Sequence, residues 1–136
     1  MARKTKQKYV PKSFESMGSS NDTSANIYVS MLMSERWQSL TKNAQVLYVY
    51  CKAQYYAEKK KPTPQVKEVT ESERTKCFTM NKSKWKDLYG IYKSDNGQFN
   101  KDMKMLIENG FVKIVENGSI TRTKTIYCFS DEWRKP

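Results

Sequence analysis

The amino-acid sequence predicts an α+β domain in which helices precede a C-terminal β-hairpin. Apolar residues recur at helical spacing within residues 41–60 and again within residues 99–107. Two runs rich in β-branched and aromatic residues flank the dipeptide Asn117-Gly118, and Asn-Gly is the strongest short hairpin signal. With 136 residues and 38% hydrophobic composition, the chain has the size of one domain with one modest core.

The charge of the chain predicts a polyanionic partner. Lys and Arg number 25 against 14 Asp and Glu, which gives a formal net charge of +11 and a pI near 9.6. This excess favours nucleic acid or an anionic membrane surface, although excess charge can also serve only solubility. The absence of histidine excludes Ser-His-Asp and Cys-His catalysis and His-ligated metals. We therefore expect a binding protein with no enzymatic activity, no cofactor and no metal.

The cysteines and the hydropathy pattern predict a soluble, cytoplasmic protein that has no membrane partner. Cys51, Cys77 and Cys128 are far apart and outside any C-x-x-C motif, which argues against a zinc ribbon and a disulfide framework. Cys51 and Cys128 lie among apolar neighbours, so we expect buried thiols. The sequence has neither a signal-peptide pattern nor an apolar run approaching the roughly 20 residues of a membrane span.

A flexible basic arm is predicted at residues 1–25, before a domain at 26–136. Residues 1–12 contain no acid, and residues 13–25 are polar and aperiodic. The basic residues of the arm are Arg3, Lys4, Lys6, Lys8 and Lys12. The sequence leaves two interpretations of these residues, a contact with DNA and a solvated tail without a target.

Two short elements are predicted before the first long helix. Ile27, Val29 and Met31 occupy alternate positions, which favours an extended segment. Ser34 is expected to cap a brief helical turn through Trp37.

The first long helix is predicted to begin after the N-cap Thr41 and to reach about Lys60. Its apolar stripe consists of Ala44, Leu47 and Cys51, widened by Val46, Tyr50 and Ala53. An exposed loop is expected at about 61–77, because Pro62 and Pro64 stop the helix and the residues that follow are polar.

A short β segment at 78–80 and two further helices are predicted next. Asn81 is expected to cap the first of these helices and Gly90 to end it. The second is expected to take its cap from Ser94, Asp95 or Asn96. Its apolar stripe consists of Phe99, Met103, Leu106 and Ile107, and it ends near Glu108 at the C-cap Asn109-Gly110.

The C-terminal part is predicted to form a β-hairpin. Residues 111–115 and 120–129 are the expected strands, and residues 116–119 are the expected turn. Trp133 is expected to fold back onto the core.

This order of elements is that of a winged helix-turn-helix with three main helices. The stretch FNKDMKMLIENGFVKIVENG, followed by TIYCF, resembles winged-helix families in which a leucine, a glycine and two apolar residues join the recognition helix to the wing. In this chain the junction consists of Leu106, Gly110, Phe111 and Val112. The earlier stretch LTKNAQVLYVY resembles the first helix of such domains in plasmid and phage replication initiators and related mobile-element proteins. The resemblance covers roughly residues 27–133 and implies that the third helix enters the major groove of double-stranded DNA.

The residues expected to contact DNA follow from the rotation of about 100° per helical residue. With the apolar stripe inward, the outward residues are Gln98, Lys101, Lys104, Met105 and Glu108. Lys101 and Lys104 suit phosphates or guanine edges, and Gln98 and Asn100 suit adenine. The preceding helix and the hairpin add Lys82, Lys84, Lys86, Lys113, Asn117, Arg122 and Lys124. An ordinary solvated surface is the alternative interpretation of each cluster.

The sequence therefore predicts a DNA-binding regulator, or a replication or transfer accessory factor, of a bacterial plasmid, phage or conjugative element. The alternative is a winged-helix adaptor between proteins, including a homodimer formed through the aromatic first helix. A nuclease is disfavoured, because Asp87, Asp95 and Asp102 lack metal-site spacing and are explained by capping or solvation.

Overall fold

The computed structural model describes residues 25–58, 77–116 and 125–135, together with residues 12, 14, 16 and 18. Most of the predicted loop at about 61–77, most of the hairpin turn and most of the arm lie outside these residues, and Cys77 at the end of that loop belongs to a strand. The described elements are α1 (Val29–Leu32), α2 (Glu35–Ser39), α3 (Lys42–Glu58), β1 (Cys77–Thr79), the π-helical turn labelled α4 (Ser83–Leu88), α5 (Gln98–Glu108), β2 (Val112–Glu116), β3 (Ile126–Phe129) and a 3₁₀ turn (Glu132–Arg134). The predicted α+β class is confirmed.

The strands form one antiparallel sheet in the order β1-β3-β2. The middle strand β3 pairs with β1 through Cys128 opposite Cys77, and with β2 through Phe129 opposite Val112. The register of the β2–β3 pair shifts between Ile114 and Glu116. The antiparallel pairing of the two C-terminal strands is confirmed, and so is the short β segment near residue 78.

Two of the predicted helix caps are confirmed. The Ser34 hydroxyl oxygen accepts a hydrogen bond from the Trp37 amide at 3.2 Å, at the start of α2. The Thr41 hydroxyl oxygen accepts one from the Ala44 amide at 3.2 Å, at the start of α3. Each cap satisfies an amide that the first turn of a helix leaves without an intrahelical partner.

Thr41→Ala is expected to lower the free energy of unfolding by about 1 kcal/mol, because the Ala44 amide loses its acceptor. Thr41→Ser keeps the oxygen and serves as the matched control. Urea denaturation of the two variants measures the difference. An equal loss of stability in both would assign the effect to the lost methyl group and not to the cap.

Two local predictions are wrong in detail. Residues 29–32 are helical and not extended, because the Tyr28 carbonyl accepts from the amides of Met31 and Leu32. Of the alternating apolar residues, Met31 is buried, whereas Val29 is exposed. The Asn81 side chain does not cap α4, because its oxygen accepts a hydrogen bond from the Ser83 hydroxyl. The amides of the first turn of α4 donate to the backbone carbonyl of Asn81 instead.

The start of α5 is built by two neighbouring residues. Gly97 is the N-cap residue with a φ of 85°, and the Asn96 side-chain oxygen accepts from the Gln98 amide at 3.1 Å. Among the three predicted cap residues, Asn96 therefore supplies the side-chain contact.

The buried face of α3 differs from the predicted stripe at its edges. Ala44, Leu47 and Cys51 are buried as predicted, and Tyr48 and Gln54 join them. Val46 does not widen the stripe: it is 47% exposed. At about 100° per residue, Tyr48 lies nearer than Val46 to the centre of the face that Leu47 and Cys51 define.

An aromatic cluster around Phe111 closes the core beneath the C-terminal turn. The ring of Phe111 contacts Trp37 edge-on at 5.6 Å and Tyr48 edge-on at 5.8 Å, measured between ring centroids. The ring of Trp133 stacks on Phe111 at 6.0 Å. Trp133 therefore folds back onto the core as predicted.

All three cysteine side chains are buried, which confirms the prediction for Cys51 and Cys128. Burial also raises the pKa of the Cys51 thiol far above its ordinary value, so the thiol stays protonated. Among the described helices, none is long and apolar enough to cross a membrane.

Candidate nucleic-acid interface

The inner face of α5 is held by apolar and aromatic contacts. Met103 and Leu106 are buried, and the Phe99 ring stacks on Trp85 of α4 with 5.4 Å between centroids and 13° between planes. Met105 was predicted to face outward, but it is half-buried and its sulfur accepts from the Thr41 amide at 3.5 Å. A flexible thioether fills the gap between α5 and the start of α3, which the helical rotation alone does not indicate.

The outer face of α5 carries the predicted basic residues. Asn100, Lys101 and Lys104 are exposed. The Lys104 ammonium lies 3.8 Å from a Glu108 carboxylate oxygen, and both side chains are well exposed. Such an exposed pair one helical turn apart contributes a few tenths of a kcal/mol, so it does not prevent Lys104 from contacting another anion.

Gln98 contacts the protein interior. Its side-chain amide nitrogen donates to Asp102 Oδ1 at 2.9 Å, and the Tyr92 hydroxyl donates to Asp102 Oδ2 at 2.5 Å. Asp102 is buried, so the prediction that capping or solvation explains this residue is wrong. Burial and the bond to the carboxylate raise the pKa of Tyr92 far above its ordinary value, which keeps this hydroxyl a donor. This network fixes the first turn of α5 to the turn that precedes it.

Lys82, the residue before α4, lies close to the same turn. The Lys82 ammonium is 3.6 Å from an Asp95 carboxylate oxygen, and both side chains are exposed. Lys84 and Lys86 are half-buried. The ion pair links the start of α4 to the segment before α5, so Lys82 lies near the N-terminal end of α5.

The remaining predicted residues are divided between the described and undescribed parts of the chain. Lys113 is exposed on β2, and Lys12 of the arm is exposed. The other predicted contacts lie outside the described residues: Arg3, Lys4, Lys6, Lys8, Asn117, Arg122 and Lys124.

A guanidinium that the sequence did not indicate holds the C-terminal end of α5. Arg36 of α2 donates to the Asn109 carbonyl at 3.5 Å and to the Glu132 carbonyl at 3.0 Å. The Trp133 amide donates to the Gly110 carbonyl at 3.1 Å. These bonds join residues far apart in the chain, and a cation at the C-terminus of a helix is favoured by the helix dipole. Both ends of α5 are therefore anchored by polar contacts.

Within the described part of the chain, no group of three or more His, Cys, Asp or Glu side chains is arranged to hold a metal ion. Comparisons with protein-family models, curated proteins and solved structures found no match to this chain. The geometry of α5 and its surroundings is therefore the basis for a functional proposal.

Proposed function

We propose that this chain is a winged helix-turn-helix DNA-binding protein in which α5 enters the major groove and the β2–β3 pair is the wing. The order α3-β1-α4-α5-β2-β3 supports the proposal, and so does the antiparallel sheet order β1-β3-β2. In such a domain, α3 and the sheet form the platform and α4 supports the recognition helix.

The observation that carries the proposal is the two-sided character of α5. Its inner face is buried through Met103 and Leu106, while Asn100, Lys101 and Lys104 are exposed on the opposite side. Two lysines on one exposed helix face suit phosphates and guanine edges, and an asparagine suits adenine. Because both ends of α5 are anchored, these side chains project from a rigid element, as a recognition helix requires.

The cellular role belongs to the same proposal. The likeness of residues 40–50 to the first helix of plasmid and phage replication initiators favours a regulator, or a replication or transfer accessory factor, of a mobile genetic element. Such a protein acts on double-stranded DNA in the cytoplasm.

Lys101→Ala combined with Lys104→Ala is expected to weaken binding to duplex DNA at least about tenfold at about 0.1 M salt, because two phosphate-neutralising charges are lost. The slope of log K against log salt is expected to become shallower by roughly 1 to 2 units. A binding titration of the full chain at several salt concentrations measures both quantities.

The matched control is Arg134→Ala combined with Lys135→Ala. This variant also removes two positive charges, but it removes them from the exposed C-terminal turn and not from α5. If both double variants weaken binding equally, only net charge matters and α5 is not the recognition helix. An affinity that hardly changes with salt would reject DNA binding altogether.

A second candidate function is an adaptor between proteins, including a homodimer formed through α3. The observation that favours it is the exposure of apolar side chains, Val46 and Val49 on α3 and Leu88 on α4. The mass in solution, measured by light scattering with and without DNA, separates the two functions. A stable oligomer that is indifferent to DNA favours the adaptor.

A further inference from the structure

A groove of about 410 Å³ lies between the segment that leads into α1, the C-terminal half of α3 and the end of β3 with the 3₁₀ turn. This volume falls in the range of small-molecule sites. Six of its fourteen lining residues are aromatic: Tyr28, Tyr48, Tyr55, Tyr56, Phe129 and Trp133. None of the lining residues belongs to α4, α5 or β2, so the groove is distinct from the proposed DNA interface.

Two cations lie over the aromatic rings of this groove. The Lys52 ammonium is 4.3 Å from the centroid of the Phe129 ring and 5.6 Å from that of Tyr48. Lys52 is half-buried, and burial lowers the pKa of its ammonium. The Arg134 guanidinium lies 5.2 Å from the Trp133 ring. The groove therefore presents a partly desolvated positive charge beside apolar ring surface.

The charges of the lining residues indicate which charge a ligand of the groove carries. The described lining contains two cationic side chains, Lys52 and Arg134, and one carboxylate, Asp131. A cationic ligand, the usual occupant of an aromatic cage, would compete with these two cations for the ring faces and be repelled by them. An anionic group would instead pair with the partly desolvated ammonium in a charge-assisted hydrogen bond.

We propose that this groove binds a small organic anion in which a carboxylate is attached to a flat apolar group. The carboxylate pairs with Lys52, and the flat group packs against the aromatic side chains. Rings prefer offset-stacked or edge-on contacts, and the neighbouring rings of Tyr55 and Phe129 already meet edge-on at 5.7 Å. This activity goes beyond the proposed DNA binding and does not depend on it.

Three probes of one shape and different charge test the proposal: 2-naphthylacetate, the neutral 2-naphthylacetamide and the cationic 2-naphthylmethylammonium. Each is titrated into the full ¹⁵N-labelled chain, and the amide and indole N–H resonances are followed by NMR. We expect the acetate to bind at least about tenfold more tightly than the amide, and the cation most weakly, because only the acetate gains the ion pair. The shifts are expected at the groove, including the indole of Trp133.

Lys52→Met keeps an apolar side chain of similar length without the charge. It is expected to reduce the preference for the acetate over the amide to about twofold or less. Lys42→Met, an exposed position on the same helix outside the groove, is the matched control and should keep the full preference. If Lys52→Met does not fold, Arg134→Gln at the exposed rim replaces it and is expected to lower the same preference severalfold.

Four results would overturn the proposal. They are no shift with any probe up to about 5 mM, shifts centred on α5 instead of the groove, equal binding of all three probes, and a full acetate preference in Lys52→Met, or in Arg134→Gln where that variant replaces it.

Discussion

Gly110→Ala is expected to lower the free energy of unfolding by about 3 kcal/mol. Gly110 follows the end of α5 with a φ of 82°, a left-handed conformation that a side chain disfavours by about 1 kcal/mol. A Cβ at this position would lie 2.7 Å from the Trp133 backbone nitrogen and 2.8 Å from the Glu132 carbonyl carbon. Because the obstacle is backbone, it cannot move aside by changing a rotamer.

Gly97→Ala separates the two causes. Gly97 also has a positive φ, of 85°, but an added Cβ there would meet nothing within 4 Å. Its expected loss is therefore the conformational cost alone, about 1 kcal/mol. Urea denaturation of the two variants gives the comparison, and equal losses would mean that the close approach of the C-terminal turn to Gly110 contributes nothing to stability.

The close approach of the C-terminal turn to Gly110 allows two contacts that hold the end of α5. It lets the Trp133 amide bond the Gly110 carbonyl and brings the Trp133 ring onto Phe111. Arg36 reaches the same place from α2 through the carbonyls of Asn109 and Glu132. The C-terminal end of α5 is thus fixed by two segments that are distant from it in the sequence, α2 and the C-terminal turn, which holds the exposed lysines of α5 in a defined direction.

The elements that the sequence predicted correctly are those with local causes. Thr41 caps α3 by bonding an amide three residues ahead, and Gly110 ends α5 because a left-handed residue is needed there. The β2–β3 pairing follows from two β-branched runs around a turn signal. In contrast, the alternation of residues 27–31 suggested a strand because three positions are too few to distinguish a period of two from one helical turn.

In the candidate interface, too, the sequence predicts the local features and not the contacts between distant residues. The exposure of Lys101 and Lys104 follows from helical rotation relative to Met103 and Leu106. The contacts of Arg36 with Asn109 and Glu132 were not predictable, because they join residues separated by 73 and 96 positions. No local pattern encodes such a pair, since only the packing of α2 beside the C-terminal turn creates it.

Asp102→Ala is expected to lower the free energy of unfolding by about 2–4 kcal/mol. The carboxylate is buried and accepts hydrogen bonds from the Tyr92 hydroxyl and the Gln98 amide. Removing it leaves the buried Tyr92 hydroxyl and the partly buried Gln98 amide without this acceptor, and a buried donor left unpaired costs about 1–3 kcal/mol. Alanine is also a better helix former than aspartate, so a loss of stability cannot come from helix propensity.

A double-mutant cycle with Tyr92→Phe isolates the bond between the two side chains. Tyr92→Phe alone is expected to cost about 1 kcal/mol, and the two substitutions together are expected to cost about 1–2 kcal/mol less than the sum of the single ones. Asp95→Ala is the control, because its exposed pairing with Lys82 contributes at most about 0.5 kcal/mol. Additive effects of Tyr92→Phe and Asp102→Ala would contradict the network. Asp102→Ala also removes the hydrogen bonds that hold the first turn of α5, without changing an exposed lysine. If the two effects are coupled and the double lysine variant on α5 loses DNA affinity, the DNA affinity of Asp102→Ala tests whether binding requires this turn to be held in place.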